Sequence, residues 1–444
     1  MWAVSSLIDP LIYARAVHFA ATIMAAGAVF FLVFIAEPAF HDPGGAMRLP
    51  AIIRNRLTWI AWLSLAAAAV SGAAWLVFTA ASMSGRPPAE VFAQGVLWTV
   101  LDQTEFGNDW LLRSVLACLL AAAFAPFLSA QRIKSVWFKA ALVALAAAFA
   151  GSLAWAGHAA GGVGVEAIVH PAADVLHLVA AAAWVGALIP LALLLSAAGH
   201  DGSIAIARAA TLRFSTLGIA SVATLLVTGI VNSWYLAGSI AALLGTDYGR
   251  LLLAKIALFL GMVAIAAVNR FRLTPRIVQN ANTAAAQAAL RQLRGNATVE
   301  AAVGAIVIVI VAVLGTLPPG AHAHHHPTDA AISADAAFVH IHTGQGMADV
   351  TIMPGRVGTA RATIRLWNED FGPLDAQGVT FTLTGPTAGS KPTTRAASQR
   401  ADESWQVDGI ELLQPGNWTV VVTAVLGPSE RLVLDAPIVI EPKQ

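Results

Sequence analysis

The sequence predicts a mainly α-helical membrane protein: a polytopic bundle of about eight spans, followed by a small extracytoplasmic β-sandwich. Long apolar runs recur along most of the chain, each with the roughly 20 residues that a membrane-spanning helix needs. Hydrophobic residues make up 57% of the 444 residues and charged residues only 11%, whereas soluble domains average about 25% charged residues. The C-terminal part instead alternates short β-like segments with turns, which is typical of a sandwich.

Eight apolar runs are long enough to cross a bilayer as helices, which satisfy their own backbone hydrogen bonds in lipid. The first run has no basic residues before it and no small-residue cleavage site after it, so we expect a retained span and not a signal peptide. The spans are predicted at about 11–35, 57–81, 110–129, 135–156, 171–197, 213–239, 250–269 and 299–317.

Basic residues concentrate in the connections after the first, third, fifth and seventh spans. Connections rich in Lys and Arg usually face the cytoplasm, so both termini and the C-terminal part are predicted on the periplasmic side of a bacterial inner membrane. The basic residues concerned are Arg48, Arg54, Arg56, Arg132, Lys134, Lys139, Arg208, Arg213, Arg270, Arg272, Arg276, Arg291 and Arg294.

The chain is predicted to divide into a membrane domain (1–320), a His-rich linker (321–335) and an immunoglobulin-like sandwich (336–444), because charge and patterning change near residue 320. A formal charge of +1 gives no excess for binding a nucleic-acid backbone. The single cysteine excludes a disulfide framework and a cysteine-rich zinc site. The sequence has no phosphate-binding glycine loop, nucleophile elbow or HExxH motif. We therefore expect a lipid-embedded protein that is not an enzyme.

Six or seven short segments with a two-residue period predict the strands of the sandwich. They are AFVHIHT, MADVTIMPG, TARATIRLW, VTFTLTG, SWQVDGIEL, NWTVVVTAVL and RLVLDAPIVI.

Ionisable residues inside the predicted spans are the first functional candidates, because such groups are costly in lipid. His18 lies about seven residues into the first span and His177 about six into the fifth, so each lies roughly 10 Å below the outer surface. His170, Asp174 and His177 follow the i, i+4, i+7 spacing that places them on one helical face. His158 ends the fourth span on the same side. The five residues are therefore predicted to form one outward-facing group.

This outer group offers neutral imidazole ligands for copper, zinc, iron or nickel, and Asp174 would either ligate the metal or orient His177. Paired imidazoles at one depth also suit the two axial positions of haem b. Alternatively, each histidine caps a helix or bonds a backbone carbonyl. For the group as a whole we favour a metal or haem site. Each ionisable side chain inside the bilayer costs free energy, and here several of them lie at one depth.

Methionines are candidates for a deeper relay. Met24 on the first span and Met262 on the seventh lie about 18–20 Å from the outer face. Thioether sulfur prefers Cu(I), although methionine is also an ordinary core residue. Near the inner end of the first span, Glu37 and His41 would form an exit site or lie in the membrane interface.

Histidines outside the bilayer are candidates for metal capture. A short His-rich tract beside a membrane is a plausible metal scavenger. In the first predicted strand His340 and His342 share one face, close in sequence to Met347 and Met353, so a His/Met copper site on the first hairpin is an alternative to an ordinary solvent-facing strand. The tract contains His322, His324, His325 and His326.

Three stretches carry a resemblance to a known family. They are RAVHFAATIMAAGAVFFLVF (15–34), DVLHLVAAAAWVGALIPL (174–191), and residues 213–270 with Tyr248-Gly249-Arg250 and Lys255. Over about residues 15–317 the chain resembles the bacterial copper resistance protein D (CopD) family. The resemblance implies copper import or copper tolerance at the inner membrane. It also implies that His18, His158 and His177 are the positions that matter most for this function.

The C-terminal domain resembles the YtkA-like sandwich over about residues 336–441, through GNWTVVV at 416–422. The leading hypothesis is that copper ions pass from the periplasmic histidines through the bundle, with a periplasmic copper-binding protein as a candidate partner. Since no ATP site is visible, movement would follow a gradient or a coupled ion. The alternatives are a haem b-binding membrane redox protein and a metal sensor or assembly factor.

Overall fold

The computed structural model describes residues 9–40, 48–84, 87–93, 96–128, 135–156, 166–201, 203–237, 240–279, 284–317, 335–343, 346–367, 374–386, 391–427 and 431–443. The chain divides into two compact units, Met1–His324 and His325–Gln444.

The first unit is built of helices. Two π-helical turns interrupt it, Phe31–Ala36 between α1 and α2 and Asn269–Leu273 between α11 and α12, and a 3₁₀ turn at Ser152–Ala156 ends α7. The helices are α1 (Pro10–Phe30), α2 (Glu37–Ala39), α3 (Arg48–Ser84), α4 (Pro88–Ala93), α5 (Val96–Gln103), α6 (Glu105–Leu128), α7 (Val136–Gly151), α8 (Glu166–Asp201), α9 (Ile204–Ala237), α10 (Ile240–Gly245), α11 (Asp247–Val268), α12 (Thr274–Gln279) and α13 (Ala284–Leu314).

Within the described ranges, eight helical segments are long and apolar enough to cross a membrane. The predicted number of spans is therefore confirmed, and the chain is a multi-pass membrane protein. Helices α3 and α13 begin at Arg48 and Ala284, well before the apolar runs predicted at 57 and 299. Arg, Gln and Ala favour the helix as strongly as Leu does, so a helix continues past the end of its apolar stretch.

Helix α1 lies at the centre of the bundle and packs against α3, α7, α8 and α13. Its approach to α8 is close, because a Cβ built on Gly27 would lie 2.3 Å from the backbone carbon of Gly186. Toward the start of the same two helices, Phe19 and Leu178 belong to one apolar cluster. Helices α1 and α8 therefore run side by side in the same direction. His18 and His177, each nine positions before the glycine of its helix, lie at a common depth.

The second unit is a sandwich of two antiparallel sheets with strand orders β1-β2-β3-β7-β6 and β5-β4-β8-β9. Alternating residues such as Val350, Ile364, Phe381 and Val422 fill the core between them. The predicted sandwich is confirmed. The polar strands β5 and β6 were not predicted, because all their residues are exposed and they lack the alternation of buried and exposed positions. The strands are β1 (Ala337–Thr343), β2 (Gly346–Met353), β3 (Gly358–Trp367), β4 (Gly378–Thr384), β5 (Thr393–Ala396), β6 (Ser398–Gln399), β7 (Trp405–Leu412), β8 (Gly416–Val425) and β9 (Arg431–Ile440).

Candidate functional site

His18 on α1 is buried, and both of its ring nitrogens are hydrogen-bonded. Its Nδ1 lies 2.9 Å from the carbonyl oxygen of Ala68 on α3, and its Nε2 lies 2.7 Å from a guanidinium nitrogen of Arg113. Because a carbonyl only accepts, Nδ1 carries the proton and donates it to Ala68, while Nε2 accepts from Arg113. The imidazole is therefore neutral, and a metal ion would have to displace Arg113 to reach Nε2.

Arg113 on α6 is only 4% exposed, and it ties three helical elements together. Its guanidinium donates to the hydroxyls of Ser152 at 2.8 Å and Thr22 at 3.3 Å, and it also stacks over the Phe149 ring. Arg113 is a functional residue that the sequence pattern did not predict. The signal that was present is Asp109, one turn earlier, whose charge interacts with that of Arg113.

His177 on α8 has a different set of contacts from His18. Its Nδ1 lies 2.9 Å from the hydroxyl oxygen of Thr228 on α9, and that hydroxyl donates its own proton to the carbonyl of Thr224 at 2.7 Å. The Thr228 oxygen must therefore accept from Nδ1–H, which leaves the lone pair on Nε2. Among the described residues no hydrogen bond to this Nε2 is present, so His177 offers an open imidazole ligand.

A polar cluster surrounds His177 at the junction of α8, α9 and α11. Asp174, one turn earlier on α8, accepts a 3.0 Å hydrogen bond from Asn232 of α9. Lys255 of α11 interacts electrostatically with both Asp174 and His177, and Tyr248 of α11 with Asp174. We call Asp174, His177, Asn232, Lys255 and Tyr248 the outer cluster, after the side of the membrane that the sequence predicts for this end of the bundle. It combines one open imidazole, one carboxylate and one compensating cation.

His170 is buried one turn outward from Asp174, and its ring stacks on that of Tyr235 at a centroid distance of 5.2 Å. His18 and His177 lie at the same depth, since their neighbours Phe19 and Leu178 share a cluster. However, His18 bonds α3 and α6, and His177 bonds α9. Within the described part of the chain, no three His, Cys, Asp or Glu side chains form a group that could hold a metal ion.

A stripe of polar and thioether side chains begins on α11 with Tyr248, Lys255 and Met262, and ends at Asn269 in the π-helical turn that follows; the four recur at every seventh residue. Seven residues nearly complete two helical turns, so the four residues lie on one face at steps of about 10 Å. Met262 is 2% exposed, and its methyl carbon lies 3.7 Å from where a Cβ on Gly304 of α13 would stand. The stripe links the outer cluster to the inner half of the bundle.

Other predicted residues lie apart from this stripe. Met24 is partly buried on α1. Glu37, just after the first π-helical turn, forms an ion pair with Arg54 at 2.5 Å, and Arg54 also lies over the Phe40 ring. The predicted sites that fall outside the described residues are His41, His158, His322, His324, His325 and His326.

In the sandwich, the β1–β2 register pairs His342 with Met347 and His340 with Asp349. Cross-strand partners occupy the same face of a sheet. Met347 is buried, whereas Met353, three pairs further along that face, is 46% exposed. The side chains of His340 and His342 lie outside the described residues, so the predicted His/Met hairpin site stays a prediction.

Two family models match the membrane part of the chain. The model for copper resistance protein D matches residues 208–314, and the model for the copper resistance protein D-like N-terminal domain matches residues 6–168. Neither match reaches the sandwich, so the YtkA-like resemblance stays a prediction.

Three curated relatives resemble the chain. Copper resistance protein D of Pseudomonas syringae pv. tomato is 33% identical over 224 residues, which cover 50% of this chain and 71% of that protein. Copper transport protein CutJ of Bacillus subtilis is 26% identical over 416 residues, or 93% of this chain and 71% of its own length. Inner membrane protein YebZ of Escherichia coli is 32% identical over 258 residues, or 56% and 82%. None of these names describes an enzyme.

Proposed function

The chain belongs to the copper resistance protein D family, and on that premise we propose that it carries copper ions inward across the inner membrane as cargo. The open Nε2 of His177 beside the Asp174 carboxylate is the observation that carries this proposal. A neutral imidazole whose other nitrogen is hydrogen-bonded is the usual form of a histidine metal ligand. We therefore assign the first intramembrane contact with copper to His177.

His18 takes a different part in the proposal. Its Nε2 is occupied by Arg113, so copper would bind His18 only after the guanidinium moved away. The same contact argues against haem b, which would need Nε2 of both His18 and His177 as an axial pair. We propose that His18 and Arg113 hold α1, α3 and α6 together beside the path.

The proposed path follows the face of α11 that packs against α13. Copper would leave the outer cluster, pass the thioether of Met262 about one step further in, and continue toward the polar groups near Asn269. Met24 on α1 is the second thioether at this depth by helical rise. Thioether sulfur is a good ligand for Cu(I), whereas the aliphatic side chains around it are not ligands. A buried methionine would therefore provide an intermediate binding site for the ion.

We propose that copper arrives from the periplasmic side, because the basic connections favour a cytoplasmic location for the opposite end of the bundle. The histidines of the 321–335 linker and of the first hairpin of the sandwich, His340 and His342, would capture the ion or receive it from a periplasmic copper-binding protein. This step accounts for a His-rich segment between a membrane domain and a folded external domain.

Copper accumulation in cells tests the proposal. Cells that produce the intact chain should accumulate more copper than cells producing the His177→Ala variant. The control is Leu176→Ala, which changes an exposed side chain on the same turn of α8 and should leave accumulation unchanged. Equal copper content in wild type and His177→Ala, at equal protein levels in the membrane, would overturn the assignment.

A further inference from the structure

Glu300 of α13 is a buried carboxyl group in the inner half of the bundle. The residue is 1% exposed. Its Oε1 accepts a 2.7 Å hydrogen bond from the side-chain amide of Asn269, while its Oε2 is buried without a hydrogen-bond partner among the described residues. One carboxyl oxygen is thus satisfied by protein, and the other is left open.

A second asparagine fixes the orientation of this arrangement. The amide of Asn296, one turn before Glu300 on α13, donates to Oδ1 of Asn269 at 2.6 Å. Asn269 must therefore present its own NH₂ group to Glu300. Asn269 also begins the π-helical turn Asn269–Leu273, and such turns are frequent at functional sites. Among the described residues, Oε2 of Glu300 is therefore left without a hydrogen-bond partner at the end of an ordered chain of polar groups.

Within the described ranges, no basic side chain compensates a negative charge on Glu300. On the elements packed around it, Arg270 donates to Ser215 and Arg294 to Ser196, and Lys255 interacts with Asp174, about two steps outward on α11. The carboxylate of Glu37 is by contrast paired with Arg54. The remaining basic residues nearby are exposed: Arg272, Arg276 and Arg291.

A buried carboxylate without a partner cation is costly, and a carboxyl group in this position normally takes up a proton. Intramembrane carboxyl groups of this kind form the proton relays of pumps and transporters. Glu300 also lies one turn from Gly304, which packs beside Met262. A cation that reached Met262 would stand roughly 6–10 Å from the carboxyl and would favour its charged form by Coulomb attraction.

We infer that Glu300 is a proton-binding site that exchanges its proton against the passing copper ion. The proton is bound as an O–H on Oε2. The O–H bond breaks when copper approaches, and the proton passes to water on the inner side. A new proton from the outer side rebinds once copper has left, so each cycle carries one proton inward. One positive charge thus replaces another near Oε2. The exchange rests on the proposed copper transport, whereas proton binding at Glu300 does not.

Labelling with dicyclohexylcarbodiimide tests proton binding directly, because this apolar reagent reacts with protonated carboxyl groups in apolar surroundings. The purified full-length protein should be labelled at Glu300 in peptide mass spectra, and labelling should decline as the pH rises. Glu37 serves as an internal control that should stay unlabelled, since it is paired with Arg54. Absence of label at Glu300 throughout the pH range, or equal label at both residues, would overturn the inference.

Copper uptake into proteoliposomes then separates the two proposals. Glu300→Gln keeps the size and the acceptor oxygen of the side chain but binds no proton. It should abolish the response of uptake to a pH gradient, which we expect to be about tenfold in wild type. His177→Ala should lose uptake yet keep carbodiimide labelling at Glu300, so a failure of copper transport leaves the proton site testable. An unchanged pH response in Glu300→Gln would remove the coupling.

Discussion

Thr228→Val tests whether hydrogen bonding from α9 prepares His177 as a ligand. The substitution keeps the branched shape and removes only the hydroxyl, whose oxygen accepts from His177 Nδ1 at 2.9 Å and whose proton goes to the Thr224 carbonyl at 2.7 Å. In the variant the Nδ1–H loses its acceptor, and the ring is free to rotate or to move its proton to Nε2. Rotation would turn the Nε2 lone pair away from its present direction, and the proton shift would occupy Nε2.

The expected magnitude follows from that single bond. Leaving one buried donor unpaired costs about 1–3 kcal/mol, which is roughly a five- to 150-fold change in an equilibrium constant. Loss of a residue that orients a metal-binding histidine typically lowers metal affinity by about 10–100-fold. The two estimates agree, so we expect copper affinity in Thr228→Val to fall by about one to two orders of magnitude.

The assay is competition for Cu(I) between the purified full-length protein and a chromogenic chelator, with Thr228→Ser as the matched control. Serine retains the hydroxyl and should bind copper within about twofold of wild type, which is well inside the expected loss. If the valine variant binds copper as tightly as the serine variant, then Nδ1 hydrogen bonding does not prepare the ligand and the assignment of His177 is refuted.

Three further substitutions test the packing around the site and the sandwich. Arg113→Met leaves His18 Nε2 and two hydroxyls without their donor. Breaking such a buried charged network should lower the free energy of unfolding by about 3–5 kcal/mol, measured as a lower unfolding temperature in detergent. An unchanged temperature would contradict the role of Arg113. Gly186→Ala should separate α1 from α8 and lower thermal stability, because its Cβ would lie 2.3 Å from a backbone oxygen. Gly199→Ala is the control, since a Cβ there meets nothing within 4 Å. Equal thermal stability of the two variants would argue against the close approach. Phe381→Ala, in the sandwich core, should cost about 3–5 kcal/mol and speed limited proteolysis of the sandwich. Equal rates in wild type and variant would place Phe381 outside the core.

Much of the fold was predictable from sequence because it depends on local properties. An apolar run of sufficient length must satisfy its backbone hydrogen bonds internally, so the number of spans could be counted. Alternation likewise predicted the core strands of the sandwich, since inward residues such as Val350 and Val422 are apolar at every second position. The two polar strands β5 and β6 lack that pattern, and only their pairing with neighbouring strands defines them.

The sequence by itself determined that the chain is a membrane bundle followed by a small sandwich, and it predicted His18 and His177 at one depth. Only the tertiary structure decided what each imidazole does, because partners distant in sequence fix its proton. Arg113 lies 95 residues from His18, and Thr228 lies 51 residues from His177. The first contact occupies Nε2 and the second leaves it open. Two histidines that look equivalent along the chain thus differ as ligands, since hydrogen bonding depends on neighbours in space.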